Sequence, residues 1–410
     1  MAQALLMRDY IRKILYASGG GYFSRAGGPI LQSKGFEINL LANRLAYERA
    51  VSLSYQHGAH AWLTPTEKFR PHYSWVMVER ILRDGTEGRR RLYEVGGGNG
   101  TMALEVLRRL KEKNVPVLYT VLELSELLAE RQRTVLRDFI EEGCCEVVTA
   151  DATTWDGWAD EKCHVIALEV MDNLPHDKVR SVDVFDASSG RYLKSEIQQC
   201  SIDSTNTLHW TALSDPLIIS ALEAFALDQI LLQGSSPSSA SFLHALFHNL
   251  TSLLTLTNNP TYPSSSSPSS TLTKVTSPDI WVPSALYNLL KTLSNHPNHT
   301  VTLCDFTHFP GCLPGVNAPA VQQLVRGHPI LYDSVEDAPQ GEIDVLFPTD
   351  FEALKVAYES LTRRIATTVS HRKFIEMYGQ DIMNGCKCQD GYNPMLEEFG
   401  NAAVLTSAPV

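Results

Sequence analysis

The residues best suited to chemistry lie in four short runs, each placed just after an apolar segment. The first is Glu94-Val95-Gly96-Gly97-Gly98-Asn99-Gly100-Thr101. Gly96, Gly98 and Gly100 let the backbone turn sharply and approach a ligand with no Cβ in the way. Glycine loops at such positions serve the pyrophosphate of dinucleotides. Here an acid, Glu94, stands two residues before the first glycine. A carboxylate repels a pyrophosphate and attracts an ammonium. S-adenosylmethionine carries an ammonium and a sulfonium and no phosphate, so the run favours that cofactor over a nicotinamide dinucleotide. The next two runs end at Glu123 and Asp151. Glu123 offers two oxygens to a ribose diol, a role that does not separate the two cofactors. Asp151 offers an acceptor to an adenine amino group.

The fourth run is Glu169-Val170-Met171-Asp172-Asn173-Leu174-Pro175-His176-Asp177. Glu169 and Asp172, at i and i+3, are spaced to converge on one planar cation, and bidentate carboxylate pairing is the strong geometry for a guanidinium. Methyl transfer to such a nitrogen also needs a proton acceptor, for which Asp172 and His176 are the candidates. A plain Asn-Pro turn accounts for the same residues without chemistry.

These runs need elements to carry them. Apolar patterning predicts strands over Leu92–Val95, Val117–Leu122, Cys145–Thr149 and Cys163–Leu168, with helices over Thr101–Lys113 and Glu126–Ile140 between them. Alternating strands and helices imply right-handed crossovers and an α/β, doubly wound, Rossmann-like sheet. Glu94, Glu123 and Asp151 then share one sheet edge, where open α/β folds bind ligands. Val179–Ala187 and Arg191–Gln198 flank Ser188-Ser189-Gly190 as a hairpin. A helix is expected over Asp215–Leu232. Residues 255–278 hold 17 Ser, Thr or Pro in 24 positions, a low-complexity excursion expected to be disordered. Strands at Val301–Phe306 and Ile343–Phe347 follow, then a helix from Thr349, as N-cap, to Ala366. The first ninety residues are helical with glycine-rich breaks at Gly19–Gly21 and Gly27–Gly28, and Thr64 with Glu67 caps a short turn. The expected organisation is a helical N-terminal cap (1–87), a first part of the core (88–232), the low-complexity insertion (233–279), a second part of the core with a loop over the site (280–348), and C-terminal helices and a tail (349–410).

The 410 residues are 44% hydrophobic, ample for a sizeable core, which excludes a wholly disordered chain or a small disulfide scaffold. A net charge of −11 argues against a nucleic-acid partner. The eight cysteines include no C-x-x-C pair, so no zinc or other metal site is expected and the thiols read as reduced. No uncharged apolar run is long enough for a membrane span. Residues 3–16, with Arg8, Arg12 and Lys13, are expected as an amphipathic helix of the fold, with an Arg-bearing transit peptide as the alternative and no secretory signal.

Four segments carry a resemblance. Gly21-Tyr22-Phe23, Glu94–Thr101, Tyr119-Thr120-Val121-Leu122-Glu123-Leu124-Ser125 and Ala167-Leu168-Glu169-Val170-Met171-Asp172-Asn173-Leu174-Pro175 are similar to motifs of the MidA-like family of class I methyltransferases, together covering about residues 5–200. Val170-Met171 replaces the family's aromatic pair and Leu168 its usual Asn or His. The resemblance implies S-adenosyl-L-methionine as cofactor, with Gly96, Gly98, Gly100 and Glu123 in its site and Glu169, Asp172 and His176 on the acceptor side. It also implies a protein-arginine methyltransferase acting in mitochondrial respiratory complex I assembly, on a complex I subunit or another protein partner. Asp350–Ala366 and His371–Tyr378 are expected to pack on the core or to form a homodimer surface. A non-catalytic cofactor-binding assembly factor and a small-molecule methyltransferase are the alternative functions.

Overall fold

The computed structural model describes residues 4–25, 28–57, 61–85, 88–186, 191–233, 272–325 and 328–409. Gly27, the Ser188–Gly190 turn and most of the Ser/Thr/Pro-rich excursion lie outside them.

The core is a seven-stranded sheet of β1 (Arg90–Val95), β2 (Val117–Glu123), β3 (Cys145–Thr149), β4 (Cys163–Leu168), β5 (His299–Phe306), β6 (Ala366–Ser370) and β7 (Ala402–Ser407). Their order is β3-β2-β1-β4-β5-β7-β6. β1 to β5 run parallel to their neighbours, and β7 is antiparallel to both β5 and β6. The order reverses between β1 and β4. At such a switch point two successive crossovers leave opposite faces and open a crevice at the carboxyl ends.

The central strands are apolar on both faces because helices cover both. Leu92, Tyr119 and Ile166 meet α2 (His72–Leu82) and α3 (Thr101–Glu112) on one side. Tyr93, Val95, Val165 and Ala167 meet α5 (Ser284–Ser294) and α6 (Phe351–Thr362) on the other. The expected stripe of α3 is buried at Met102, Ala103, Val106, Leu107 and Leu110. A third apolar cluster seats α1 (Met7–Tyr16) through Met7, Ile11, Ile14 and Leu15. Beside the core, Asp177–Asp186 and Arg191–Ile202 form an antiparallel ribbon, and Ala320–Val325 pairs with His328–Leu331 and Asp344–Leu346.

Five local expectations change. The helix expected over Asp215–Leu232 divides into Pro216–Ala224 and Asp228–Gln233. The segment after residue 380 is no tail: β7 inserts between β5 and β6 because Ala402, Val404 and Leu405 bury against both faces of the sheet. Leu272–Thr276, expected in the disordered excursion, pairs with Val182–Asp186. Asp350, not Thr349, caps α6, accepting from Glu352 N and Ala353 N at 3.0 Å each. The expected 126–140 helix breaks into α4 (Glu126–Val135) and a short helix, Arg137–Glu141.

Candidate functional site

The first cavity lies at the switch point. It has a volume of about 210 Å³ and is lined by Val95, Gly96, Glu123, Asp151, Val170 and Leu289 together with Arg8, Arg12 and Tyr16 of α1. Gly96 sits at φ +71°, and a Cβ there would lie 2.7 Å from Val170 Cγ2. The loops after β1 and β4 therefore touch only because residue 96 has no side chain. Gly98 and Gly100 are also left-handed, and Gly100 starts α3.

Glu123 ends β2 and is buried, 5% exposed. Its Oε1 accepts from Ser125 N at 2.9 Å and its Oε2 from Gln132 Nε2 of α4 at 2.9 Å. Burial lifts its carboxyl above the usual range against these donors. Asp151 accepts from Thr153 N and Oγ1 at 2.9 and 2.7 Å and pairs with Arg12 at 2.5 Å. Glu123 and Asp151 thus meet on one cleft with the glycine loop, as expected. Glu94 does not join them. Its side chain, 4% exposed, turns away from the cavity lining to accept from Tyr119 Oη at 3.0 Å, and burial pushes it up to about 8. Glu94 stands apart from the expected direct ammonium contact because its side chain leaves β1 on the face packed by α3, while its neighbours Val95 and Gly96 line the cleft.

The second cavity, about 360 Å³, lies on the other side of the 169–174 turn. Glu169, Asp172 and Asn173 line it with Asp344, Tyr22, Trp62, Phe306, Phe309 and Phe399. Glu169 and Asp172 are therefore brought together, and Glu169 adopts a left-handed φ of +54°. Glu169 reaches the cavity and is half-buried; desolvation, then Asp305, lifts it to about 8. Asp172 is 3% exposed, and its Oδ1 has no hydrogen-bond partner. Burial and the neighbouring Asp305 raise it well above the ordinary carboxylate range. Tyr22 Oη and Trp62 Nε1 are buried beside Asp344 and bear on its carboxyl as hydrogen-bonding neighbours. An unpaired buried carboxylate oxygen is costly, and Asp172 Oδ1 on this cavity marks a wall suited to a polar guest.

His176 is not on this wall. Its ring stacks on Phe347 at 3.9 Å between centroids, and its Nδ1 lies 2.8 Å from Leu174 O. Burial depresses it to about 3, so it stays neutral. Of the two expected base candidates only Asp172 lines this cavity, because Pro175 turns the chain away before residue 176.

Sequence reasoning missed several residues. Asp305, at the end of β5, accepts from the N–H groups of Val170, Met171 and Asp172 at 3.2, 2.7 and 3.1 Å. It holds the turn that carries the acids, and burial lifts it to about 7. Its signal was an acid at a strand end, the same one that marked Glu123. Arg8, Arg12 and Tyr16 recur at i, i+4 and i+8, one helical face opposite the apolar stripe of α1. Arg8 fastens that helix to Asp177 and Asp215 at 2.7 Å each. Tyr16 Oη donates to Asn173 O at 3.2 Å, between the two cavities. Trp62 and Asp344 had no local signal.

An open α/β sheet with an acid-ended second strand, a glycine cradle at the switch point and a second, acidic cavity matches the layout of nucleoside-cofactor proteins. The sequence model of a family described as "Putative S-adenosyl-L-methionine-dependent methyltransferase" matches residues 74–368. The chain belongs to this S-adenosyl-L-methionine-dependent methyltransferase family. Among solved structures it is similar to a protein of Burkholderia thailandensis crystallised with S-adenosyl-homocysteine, at 14% identity and TM-score 0.54, over 98% of this chain and 88% of that one. A native crystal structure from the same organism gives 14% identity and TM-score 0.52, over 99% and 87%. At this identity the likeness concerns the fold. No curated protein matches the sequence. Among the described residues no helix is long and apolar enough to cross a membrane, and no group of three or more His, Cys, Asp or Glu is arranged to hold a metal ion.

Proposed function

We propose that the chain is a protein-arginine N-methyltransferase. The observation that carries the acceptor class is the second cavity, where Glu169, Asp172 and Asp344 line a wall with an unpartnered Asp172 oxygen beside aromatic rings. Carboxylates among aromatic faces suit a flat cation. The apolar rim of Ile30, Pro310 and Pro329 and the exposed Ile330 and Leu331 favour a polypeptide over a free metabolite. A role in respiratory complex I assembly and a mitochondrial location are proposed on the motif resemblance alone.

The glycine cradle, Glu123, Asp151 and the apolar Leu122 and Leu289 fit S-adenosylmethionine, which supplies the methyl group as an electrophilic carbon on sulfonium. Glu169 and Asp172 bind the guanidinium edge and orient one nitrogen lone pair toward the 169–174 partition. With S-adenosylmethionine bound, its sulfonium would supply the methyl group to that nitrogen, and Asp172 would take the proton the nitrogen gives up. A carboxylate raised by burial is a stronger base than an ordinary one, which suits it to that proton.

The full chain, given methyl-labelled S-adenosylmethionine and peptide libraries, is expected to label arginine in preference to lysine, read by hydrolysis and chromatography of the modified residues. Label confined to lysine, or to a protein-free metabolite extract, overturns the acceptor assignment.

The cavity acids also set a pH dependence. Asp344 and Glu169 are lifted to about 6 and 8 by burial, so without an acceptor the site holds protons near neutral pH that a bound cation must displace. The kcat/KM for the acceptor is expected to rise from pH 6 to pH 8. Stability of the empty enzyme moves the other way. A carboxyl with its folded pKa above its unfolded one binds more protons when folded, so its stabilising effect is complete below the unfolded value and is lost as pH rises through the folded one. The melting temperature is expected to fall across the same window in which kcat/KM rises; parallel trends count against the assignment.

A further inference from the structure

We propose that Asp344 is a third acceptor-side carboxylate, which reads the guanidinium edge turned away from the transferred methyl and makes the cavity select arginine over lysine. The proposal rests on the arginine reading above.

The argument starts from geometry. Glu169 and Asp172 come from one turn and approach a guest from one side. A guanidinium presents five N–H groups in a plane, whereas an ammonium is a compact charge with three rotatable donors. One turn therefore satisfies an ammonium but leaves part of a guanidinium without acceptors, and an acid from a different segment is required to distinguish the two. Asp344 supplies it. The residue begins the Asp344–Leu346 strand, is 4% exposed and lines the same cavity.

Its position relative to the turn is fixed by three hydrogen bonds. Asn173 Nδ2 donates to Asp344 Oδ1 at 2.8 Å and to Val345 O at 3.3 Å, and Phe347 N donates to Asp172 O at 2.8 Å. Asn173 thus sets one oxygen of Asp344 while the adjacent Asp172 keeps its own Oδ1 unpaired. Tyr22 Oη and Trp62 Nε1 stand on the same wall as donors toward Asp344, and the Trp62 ring adds an aromatic face. Arg25 lies over the Tyr22 ring at 4.4 Å from its centroid and exerts an attractive charge effect on Asp344. The competing account is therefore that Asp344 serves Arg25 and the packing of the turn, and the test separates the two.

Methylguanidinium and methylammonium are titrated by calorimetry into the full chain saturated with S-adenosylhomocysteine. The wild type is expected to prefer methylguanidinium. Asp344→Asn is expected to lose about tenfold in methylguanidinium affinity, the size of one charge-assisted hydrogen bond, and to leave methylammonium unchanged. With arginine peptide, KM rises and kcat is nearly held, and Asp344→Glu restores part of the preference. A wild-type preference that survives in Asp344→Asn overturns the role of Asp344 and spares the arginine reading. Equal loss for both cations with a lowered melting temperature assigns Asp344 to Arg25 and also overturns it. A wild type that binds neither cation, while still binding S-adenosylhomocysteine, removes the arginine reading and the Asp344 role together.

Discussion

Asp172→Asn is expected to lower kcat for methyl transfer by on the order of 1,000-fold, the scale of a lost proton acceptor that also orients the substrate, while cofactor affinity stays within a few-fold. The substitution is nearly isosteric. The backbone at 172 is held from both sides, its N–H by Asp305 and its carbonyl by Phe347 N, so the turn keeps its shape. What is lost is ionisation: an amide neither pairs with a guanidinium nor takes its proton. The cofactor-side cavity is bordered by Val170 and Leu174 of the same turn and not by Asp172, so binding there is insulated. A second consequence follows from burial. Burial and Asp305 push the Asp172 carboxyl up, so it destabilises the empty fold once it ionises. The variant should melt at the same temperature as the wild type or higher at pH 8. Single-turnover rates and thermal melts measure the two effects. A rate within tenfold of wild type, or a marked loss of stability, would remove Asp172 from the chemistry.

The contrast between Asp172 and His176 shows what the sequence can and cannot convey. Strand ends were legible because each parallel strand is a short apolar run that must stop at a turn. That pattern puts Glu94, Glu123 and Asp151 on one edge, and the structure brings Glu123 and Asp151 together there. The direction in which a side chain leaves that edge was not legible. Glu94 and Val95 are consecutive in a pleated strand and point to opposite faces, and only the packing of Tyr119 under α3 decides that the carboxyl goes inward. His176 lies one residue past Pro175 and faces Phe347, a residue 171 positions away in the chain. The acceptor cavity was half legible. Glu169 and Asp172 share a motif and Tyr22 lies in another, Gly21-Tyr22-Phe23, but Trp62 and Asp344 arrive from distant segments with no local pattern. The C-terminal strand was misread for a related reason. Residues 402–407 are Ala402-Ala403-Val404-Leu405-Thr406-Ser407, too short a run to distinguish from a tail until β5 and β6 are seen to lack a partner between them.

Glu123→Ala is expected to weaken S-adenosylmethionine binding by on the order of 100-fold, the equivalent of about two hydrogen bonds to a charged group, with kcat at saturating cofactor changed only a few-fold. Two effects combine. The carboxylate presents acceptors to the ribose hydroxyls, which is its proposed role. It also accepts from Gln132 Nε2, and the same nitrogen donates to Gly98 O at 3.0 Å. Removing Glu123 therefore frees one of the ties that hold the glycine loop. Glu123→Gln separates the parts: it keeps the volume and one carbonyl acceptor, and should lose about tenfold. Asp151→Asn should matter less than either, because Arg12 already engages that carboxylate at 2.5 Å and a ligand amino group must share it. Calorimetry with S-adenosylmethionine on the three variants, with melting temperatures as the check on folding, gives the order Glu123→Ala, then Glu123→Gln, then Asp151→Asn. If Asp151→Asn proves the most damaging while Glu123→Ala binds normally, the nucleoside does not lie along β2, and the cleft beside the glycine loop serves a ligand held in a different orientation.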